Sequence, residues 1–157
     1  MARKRKTQKQ WLQMIRMEGN PCLATRCKPI SDPVLEQEII NDMVAVLGYT
    51  KTGVGLAANQ IGHLHRIIVF KPNKNIPGFF VMINPEIVGR SNELTNRPEG
   101  CLSYSGITKN ITRHELIEVD FKTERGAMCT SKFHGMNARI VQHEVDHLDG
   151  FCLVGAK

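Results

Sequence analysis

Apolar side chains recur with helical spacing in one early stretch of the chain. Asp32-Pro33 begins that stretch as a helix start, since Asp accepts from free N–H groups and Pro suits the first helical position. Gly48 is a suitable end. We predict an amphipathic helix over residues 33–47, one of whose faces carries Leu35, Ile39, Met43, Val46 and Leu47.

Short apolar or alternating segments follow this helix and predict β-strands. Asn84-Pro85 should break the chain, and Glu124-Arg125-Gly126 should turn it into a hairpin. A last helix is expected to start near Asn137 and to end at Gly150. The predicted strands cover residues 65–70, 79–83, 86–90, 117–123 and 127–133. This order predicts an α+β fold, with small, mostly antiparallel sheets around the C-terminal helix.

Charge is distributed unevenly along the 157 residues. Residues 1–16 hold six basic side chains and no acid, whereas the other 15 basic residues balance the 15 acidic ones. We therefore predict a basic N-terminal arm over residues 1–16 and one folded domain over residues 17–157. The first ten residues should be disordered or fraying, and a short docking helix should begin at Trp11.

Cysteine usage and apolar runs bear on the cellular compartment. The five cysteines form no C-x-x-C pair, and an odd number does not suit a disulfide framework. The basic leader has no apolar segment of the kind found in secretory signals, and no apolar run approaches the roughly 20 residues of a membrane span. We expect a cytoplasmic protein with no membrane partner.

The strongest chemical pattern is His143-Glu144-Val145-Asp146-His147. Residues i and i+4 share one helix face, so His143 and His147 can bind one metal with Glu144 beside them as a general base. A chance match on a polar helix is the alternative. A metalloprotease is disfavoured, because no His or Glu follows His147 as a third ligand.

A third ligand must therefore lie upstream, and Cys101 in Glu-Gly-Cys-Leu-Ser (residues 99–103) is the best candidate. We expect this segment to be a loop. A thiolate is a strong ligand for a divalent metal. Taken alone, Cys101 is better explained as a small buried apolar residue, as are the other four cysteines.

Three segments together resemble the peptide deformylase family. They are Gly-Val-Gly-Leu-Ala-Ala-Asn-Gln at 53–60, Glu-Gly-Cys-Leu-Ser at 99–103 and Gln-His-Glu-Val-Asp-His-Leu at 142–148. The order and separations also match, and the resemblance extends from about Asn20 to Gly150. It implies one catalytic domain that removes the formyl group from N-formylmethionyl peptides and releases formate.

The resemblance also implies roles for individual residues. Cys101, His143 and His147 would bind one divalent metal, most often Fe²⁺ in this family, with Ni²⁺, Co²⁺ or Zn²⁺ as alternatives. Glu144 would be the general acid–base. The side-chain amide of Gln60 and the backbone N–H of Leu102 would stabilise the oxyanion.

The substrate would lie beside Val54, Gly55 and Gly100 as an added strand. Ile140 lies one turn before His143 and is a candidate wall of the methionine pocket, with ordinary core packing as the alternative. Asp146 is expected to anchor its helix through Arg113 or a nearby backbone group, with a solvated surface pair as the alternative.

The two ends of the chain depart from the resemblance. Many relatives begin near the equivalent of Met17, and many bacterial ones continue after Gly150 into a long helix that docks on the ribosome. We hypothesise that the basic arm attracts ribosomal RNA instead, with a solvated tail as the alternative. A monomer is expected. A non-catalytic, metal-binding, ribosome-associated relative is the alternative function.

Overall fold

The structure is a computed structural model that describes residues 5–72 and 75–153. Two charges of the predicted arm, Arg3 and Lys4, lie outside these residues. In chain order the strands are β1 (Gly55–Ala57), β2 (Ile67–Phe70), β3 (Phe80–Arg90), β4 (Leu94–Cys101), β5 (Tyr104–His114), β6 (Leu116–Lys122) and β7 (Met128–His134). The α-helices are α1 (Gln8–Leu12), α2 (Gln37–Tyr49) and α3 (Gly135–Leu148).

The strands form two antiparallel sheets. Five of them pair in the order β1-β2-β3-β6-β7, and β4 and β5 pair only with each other. Three short 3₁₀ helices, Pro21–Ala24, Pro33–Glu36 and Ala58–Ile61, complete the architecture. The predicted α+β fold is confirmed, as is the hairpin of β6 and β7.

The core lies on both faces of the five-stranded sheet. Because strand side chains alternate, Ile68 and Phe70 of β2 join the cluster that packs against α3, whereas Ile67 and Val69 join the cluster against α2. The helix α3 packs against one face of this sheet, and nine of its 14 side chains are buried. Among the described residues, no helix is long and apolar enough to cross a membrane.

The predicted amphipathic helix is present with different bounds. Its first turn is the 3₁₀ helix Pro33–Glu36, capped by the Asp32 carboxylate, and α2 continues through Gly48 to Tyr49. Met43, Val46 and Leu47 are buried as expected. The prediction for Leu35 was wrong, because the tighter 3₁₀ turn rotates it outward and leaves it 78% exposed.

Asn84-Pro85 does not break the chain, as the sequence had suggested. β3 runs continuously from Phe80 to Arg90, with a register shift against β6 between Ile83 and Glu86. The shift removes Pro85, which has no N–H, from the hydrogen-bond ladder. Asn84 adopts a φ of 51°, and its side-chain amide pairs with both backbone groups of Ile30.

The hairpin of β4 and β5 was not predicted. Cys101 is the last residue of β4 rather than part of a loop, and it faces Tyr104 across a register shift that follows Gly100. Almost all side chains of this hairpin are exposed or partly exposed, so the sequence there shows no apolar alternation.

Both ends of α3 are defined by backbone geometry. The helix begins at Gly135 after His134, so the expected cap, Asn137, lies inside the first turn. At the other end Gly150 has a φ of 83° and donates to the carbonyl of His147, while Phe151 donates to that of Asp146. This pair of bonds is a Schellman motif, which confirms Gly150 as the terminating residue.

The N-terminal helix begins earlier than expected. Thr7 and Gln10 form a capping box, and α1 spans Gln8–Leu12 instead of starting at Trp11. Residues 8–10 are therefore helical, not fraying. The docking itself is as predicted, because Trp11, Met14 and Ile15 pack against the core cluster beside α2.

Candidate active site

A cleft of about 510 Å³ opens between the start of β1, the β4–β5 hairpin and α3. Its walls include the residues predicted to lie beside the substrate. These are Val54 and Gly55 before and in β1, Gly100 and Leu102 at the hairpin, and Ile140 on α3. Ile140 is also 6% exposed and belongs to the core cluster that packs against α3, so it both lines the cleft and packs in the core.

Three predicted ligands converge at the inner end of the cleft. Cys101 Sγ lies 3.2 Å from His147 Nε2, which in turn lies 3.2 Å from His143 Nε2. All three ligand atoms are within 4.8 Å of one another. The two imidazoles come from one face of α3, and the thiol comes from β4, 42 positions before His143 in the printed sequence.

The second nitrogen of His143 is held by a buried carboxylate that sequence reasoning missed. Glu99 Oε2 lies 2.9 Å from His143 Nδ1, and Glu99 is 7% exposed. Metal-binding histidines commonly donate this N–H to an oxygen, which sets their tautomer and orientation. The available signal was an acidic residue two positions before Cys101, on the same side of β4 as the ligand.

Two arginines form ion pairs with the Glu99 carboxylate. Arg113 of β5 donates to both carboxylate oxygens at 3.0 Å, and Arg139 of α3 donates to Oε1 at 2.6 Å. Burial alone would raise the pKa of Glu99, but the hydrogen bonds from His143 and Arg113 lower it to about 2. Glu99 is therefore a fixed negative charge beneath the site.

Arg113 has a second partner, which is the one expected from the sequence. Its Nη1 donates to Asp146 Oδ2, so Asp146 does anchor α3 through Arg113. Arg113 is largely buried, with 10% of its side chain exposed, whereas Asp146 is 34% exposed. The pair is thus a link between β5 and α3 and not a solvated surface contact.

Glu144 is buried at the side of the three ligands. It is 4% exposed, and its Oε2 has no hydrogen-bond partner among the described residues. Burial raises the pKa of Glu144 to about 7, although the charge of His143 opposes the shift. A Cβ on Gly55 would approach Glu144 Oε1 to 2.4 Å, so glycine is needed there to make room for the carboxylate.

Gln60 lies behind Cys101 in the 3₁₀ helix Ala58–Ile61 and is 1% exposed. Its Oε1 accepts from the backbone N–H of Ala57, which fixes the direction of the amide. Its Nε2 is 3.1 Å from Ser103 Oγ and 3.5 Å from Cys101 Sγ. The amide donor therefore faces the ligand cluster.

The residues fit a divalent cation. Burial lowers the pKa of His147 to about 3 and favours the neutral imidazole that binds metals. The backbone of His147 is held by Asn59, whose Nδ2 donates to its carbonyl at 2.6 Å. The thiol and the two imidazoles could form a three-ligand set. Beside them lies Glu144 Oε2, which is buried and has no hydrogen-bond partner among the described residues.

Comparison with known proteins identifies the family to which this site belongs. The family described as polypeptide deformylase matches residues 12–155. The chain belongs to this family. A curated peptide deformylase from Chlorobaculum tepidum is 39% identical over 150 residues, an alignment that covers 87% of this chain and 74% of the relative.

Solved deformylase structures share the fold as well. The deformylase from Thermotoga maritima superposes with a TM-score of 0.83 at 35% identity, over 89% of this chain and 93% of that one. An actinonin-bound class I type b deformylase from Acinetobacter baumannii gives 0.81 at 33% identity, over 89% and 94%. These relationships support an enzyme that deformylates nascent peptides, and none favours the non-catalytic alternative.

Proposed function

We propose that the cleft hydrolyses the formyl amide of N-formylmethionyl peptides, giving formate and a free amino terminus. The observation that carries this proposal is the convergence of Cys101, His143 and His147 beside the buried carboxylate of Glu144. Deformylation needs an activated water, a proton carrier and a donor for the oxyanion, and the cleft has residues suited to all three.

We propose that the three ligands hold one divalent metal, with Fe²⁺ as the working ion and Ni²⁺, Co²⁺ or Zn²⁺ as possible occupants. When bound, such an ion polarises a carbonyl oxygen and lowers the pKa of water. The choice of Fe²⁺ rests on the family, since a thiolate with two imidazoles is also a donor set that Zn²⁺ accepts. Glu99 contributes by holding His143 in the tautomer that leaves Nε2 free to bind.

Glu144 is proposed as the proton carrier. Its Oε2 is buried and has no partner among the described residues, so it is available to take a proton from the attacking water. The same carboxyl group then delivers the proton to the leaving amine of the peptide. Gly55 gives the carboxylate the space that this position requires.

The oxyanion formed at the formyl carbon is proposed to accept hydrogen bonds from Gln60 Nε2 and the backbone N–H of Leu102. The Gln60 amide already points towards Cys101, and Leu102 follows Cys101 and lines the cleft. Such donors act best when they are held in place before the reaction. The bonds of Gln60 to Ala57 and Ser103 provide that constraint.

The peptide is proposed to bind as an extra strand between β1 and the hairpin. β1 is an edge strand of the five-stranded sheet, and Val54, Gly55 and Gly100 all line the cleft. Ile140 is proposed as a wall of the methionine pocket. Since a related deformylase binds actinonin, we expect this chain to bind actinonin in the same cleft.

The test is formate release from formyl-Met-Ala-Ser by protein loaded anaerobically with Fe²⁺ or Ni²⁺. The wild-type chain should release formate, and Glu144→Ala should be slower by a factor on the order of 10²–10⁴ while still binding metal. Metal content measured on both proteins separates loss of the base from loss of the ion. A folded, metal-loaded wild-type sample that releases no formate would refute the proposal.

Two further predictions concern a binding partner and the cellular location. Attraction of ribosomal RNA by the basic arm and a cytoplasmic location remain proposals. In the described part of the arm, Lys6 Nζ lies 3.6 Å from Asp42 Oδ2, whereas Arg5 and Lys9 are exposed. Ribosome binding should weaken with rising salt, and Arg5→Gln/Lys9→Gln should reduce the slope if these charges contact phosphates. Identical salt dependence of both proteins would contradict the hypothesis.

A further inference from the structure

The segment of residues 6–18, here called the N-terminal strap, is attached to the body at its beginning by charge and aromatic contacts. Lys6 Nζ lies 4.1 Å from the centre of the Trp11 ring and 3.6 Å from Asp42 Oδ2 of α2. The helix α1 within the strap packs against α2. Lys6 therefore makes a cation–π contact with Trp11 and an ion pair with the buried Asp42. Together these contacts hold the start of the strap against α2.

The middle of the strap is apolar and packs against the core cluster beside α2. Trp11, Met14 and Ile15 pack against the cluster that contains Ile61, the residue after Gln60. Leu102, the residue after Cys101, packs against this cluster too. The strap therefore packs against the same cluster as Leu102 and the residue that follows Gln60.

The end of the strap is hydrogen-bonded to the two donor segments themselves. The backbone N–H of Arg16 donates to the carbonyl of Gln60 at 2.6 Å, and that of Glu18 donates to the carbonyl of Ser103 at 2.9 Å. The Arg16 guanidinium also lies over Gly62, where an added Cβ would come within 2.9 Å of Nε. One short stretch of chain thus joins the segment of Gln60 to the turn that presents Leu102.

We propose that the N-terminal strap is a positioning element for the oxyanion donors, and not only a basic tail. Gln60 lies in a 3₁₀ helix and Leu102 follows β4, and the side-chain hydrogen bond from Gln60 to Ser103 joins them directly. The bonds from Arg16 and Glu18 add a second connection, which holds the backbones of both segments. Small displacements of reacting groups lower catalytic rates strongly, so loosening the strap should slow the reaction even in a folded protein.

This inference rests on the proposed function, because it assigns a role relative to the proposed oxyanion donors. The wild-type formate assay tests the proposed function, and the ratio of mutant to wild-type kcat tests the strap. The two can therefore fail separately. Formate release by the wild type with unchanged kcat in the strap variants would reject only the strap.

The variant to make is Trp11→Ala in the full-length chain, with Gln8→Ala as the matched control at an exposed position of α1. At a temperature well below its Tm, Trp11→Ala should lower kcat by roughly 3–10-fold, a fraction of the factor of about 10²–10³ expected for losing a donor. KM should stay within about twofold, since the strap's hydrogen bonds go to the donor segments and not to Val54 or Gly55. Affinity for Ni²⁺, measured by competition with a chelator, should equal that of the wild type.

A purely stabilising strap gives a different result. Trp11→Ala would then lower Tm but leave kcat of the folded enzyme unchanged, and this outcome would overturn the proposal. If Trp11→Ala does not fold, Lys6→Gln provides the same test, because it removes the aromatic and ionic contacts without creating a cavity. A kcat equal to that of the wild type in Lys6→Gln would then overturn it.

A double-mutant cycle sharpens the assignment. If the strap acts through the donors, Trp11→Ala should reduce kcat less in a Gln60→Ala background than in the wild type, since one donor is already lost. Equal reductions in both backgrounds would show that the strap does not act through Gln60 and would reject its role in positioning that donor.

Discussion

The helix α3 and the β4–β5 hairpin both supply proposed metal ligands, yet they are held in opposite ways. Nine of the 14 side chains of α3 are buried, most of them in the apolar core. In β4 and β5 together only Glu99 and Tyr104 are buried. The two proposed histidine ligands therefore lie on a helix that packs into the apolar core. The proposed cysteine ligand lies on a strand that buries almost no apolar side chains.

Polar contacts with α3 hold the hairpin instead. Arg139 donates to Glu99 and to the carbonyls of Thr95 and Ile111, and Gln142 exchanges two hydrogen bonds with the backbone of His114. These bonds are directional, so they set register and orientation more sharply than apolar packing does. We infer that metal affinity depends mainly on the polar connection and that global stability depends mainly on the apolar core.

Glu99→Gln should give the largest effect, because it removes the charge shared by Arg113 and Arg139. Arg113 keeps Asp146, but Arg139 loses the carboxylate with which it pairs, and breaking a buried ion pair in this way costs about 3–5 kcal/mol in the free energy of unfolding. Loss of the His143 contact should also weaken metal binding by about 10–100-fold. Urea unfolding and chelator competition measure the two effects, with Glu93→Gln as an exposed control near the same hairpin. Wild-type metal affinity in Glu99→Gln would contradict the polar-connection interpretation.

Ile68→Ala should show the converse behaviour. Ile68 is fully buried in the cluster that supports α3, so truncation should lower the free energy of unfolding by about 2–5 kcal/mol. Metal affinity of the folded protein should change little, because the polar contacts of the hairpin remain. The same substitution at Ile76, which is 56% exposed, should change stability by no more than about 0.5 kcal/mol. A large fall in the metal affinity of Ile68→Ala would contradict the inference that metal affinity depends mainly on the polar contacts of the hairpin.

Two glycines with positive φ give a smaller and graded effect. Gly150→Ala, after α3, combines a φ of 83° with a Cβ only 2.8 Å from the carbonyl oxygen of Ala24. Gly106→Ala, in β5, has a φ of 74° and open space around the new Cβ. Backbone strain costs about 1–3 kcal/mol, and we expect Gly150→Ala to lie at or above the upper end and Gly106→Ala near the lower. Thermal unfolding of both variants measures the difference, and equal losses would show that the Ala24 contact relaxes freely.

The smallest effect is expected at the outer surface of the hairpin. Asn96 Nδ2 donates to Thr112 Oγ1 at 2.8 Å, but both residues are exposed. Asn96→Ala should change the free energy of unfolding by less than about 0.5 kcal/mol and leave metal affinity unchanged. A loss above about 1 kcal/mol in urea unfolding would mean that surface pairs, and not only the Glu99 network, stabilise the hairpin.

Sequence reasoning succeeded where the relevant interaction is local. The faces of α2 and α3, the hairpin of β6 and β7, and Gly150 all depend on neighbours within a few residues. It failed at β3, where a bulge and the Asn84 side chain accommodate Pro85, and at Leu35, where a 3₁₀ turn replaced an α-helical one. In both cases the spacing of apolar residues along the chain does not reveal the contact or the turn geometry that decides the structure.

For the site, the sequence by itself determined that His143 and His147 share one helix face with Glu144 beside them, because the i,i+4 spacing fixes that geometry. The motifs also indicated which cysteine to consider. Only the tertiary structure decided that Glu99 stands between His143 and two arginines, and that the N-terminal strap reaches the segments of Gln60 and Leu102. Those contacts join distant elements across a buried interface, where complementary charge and shape, not spacing along the chain, select the partner.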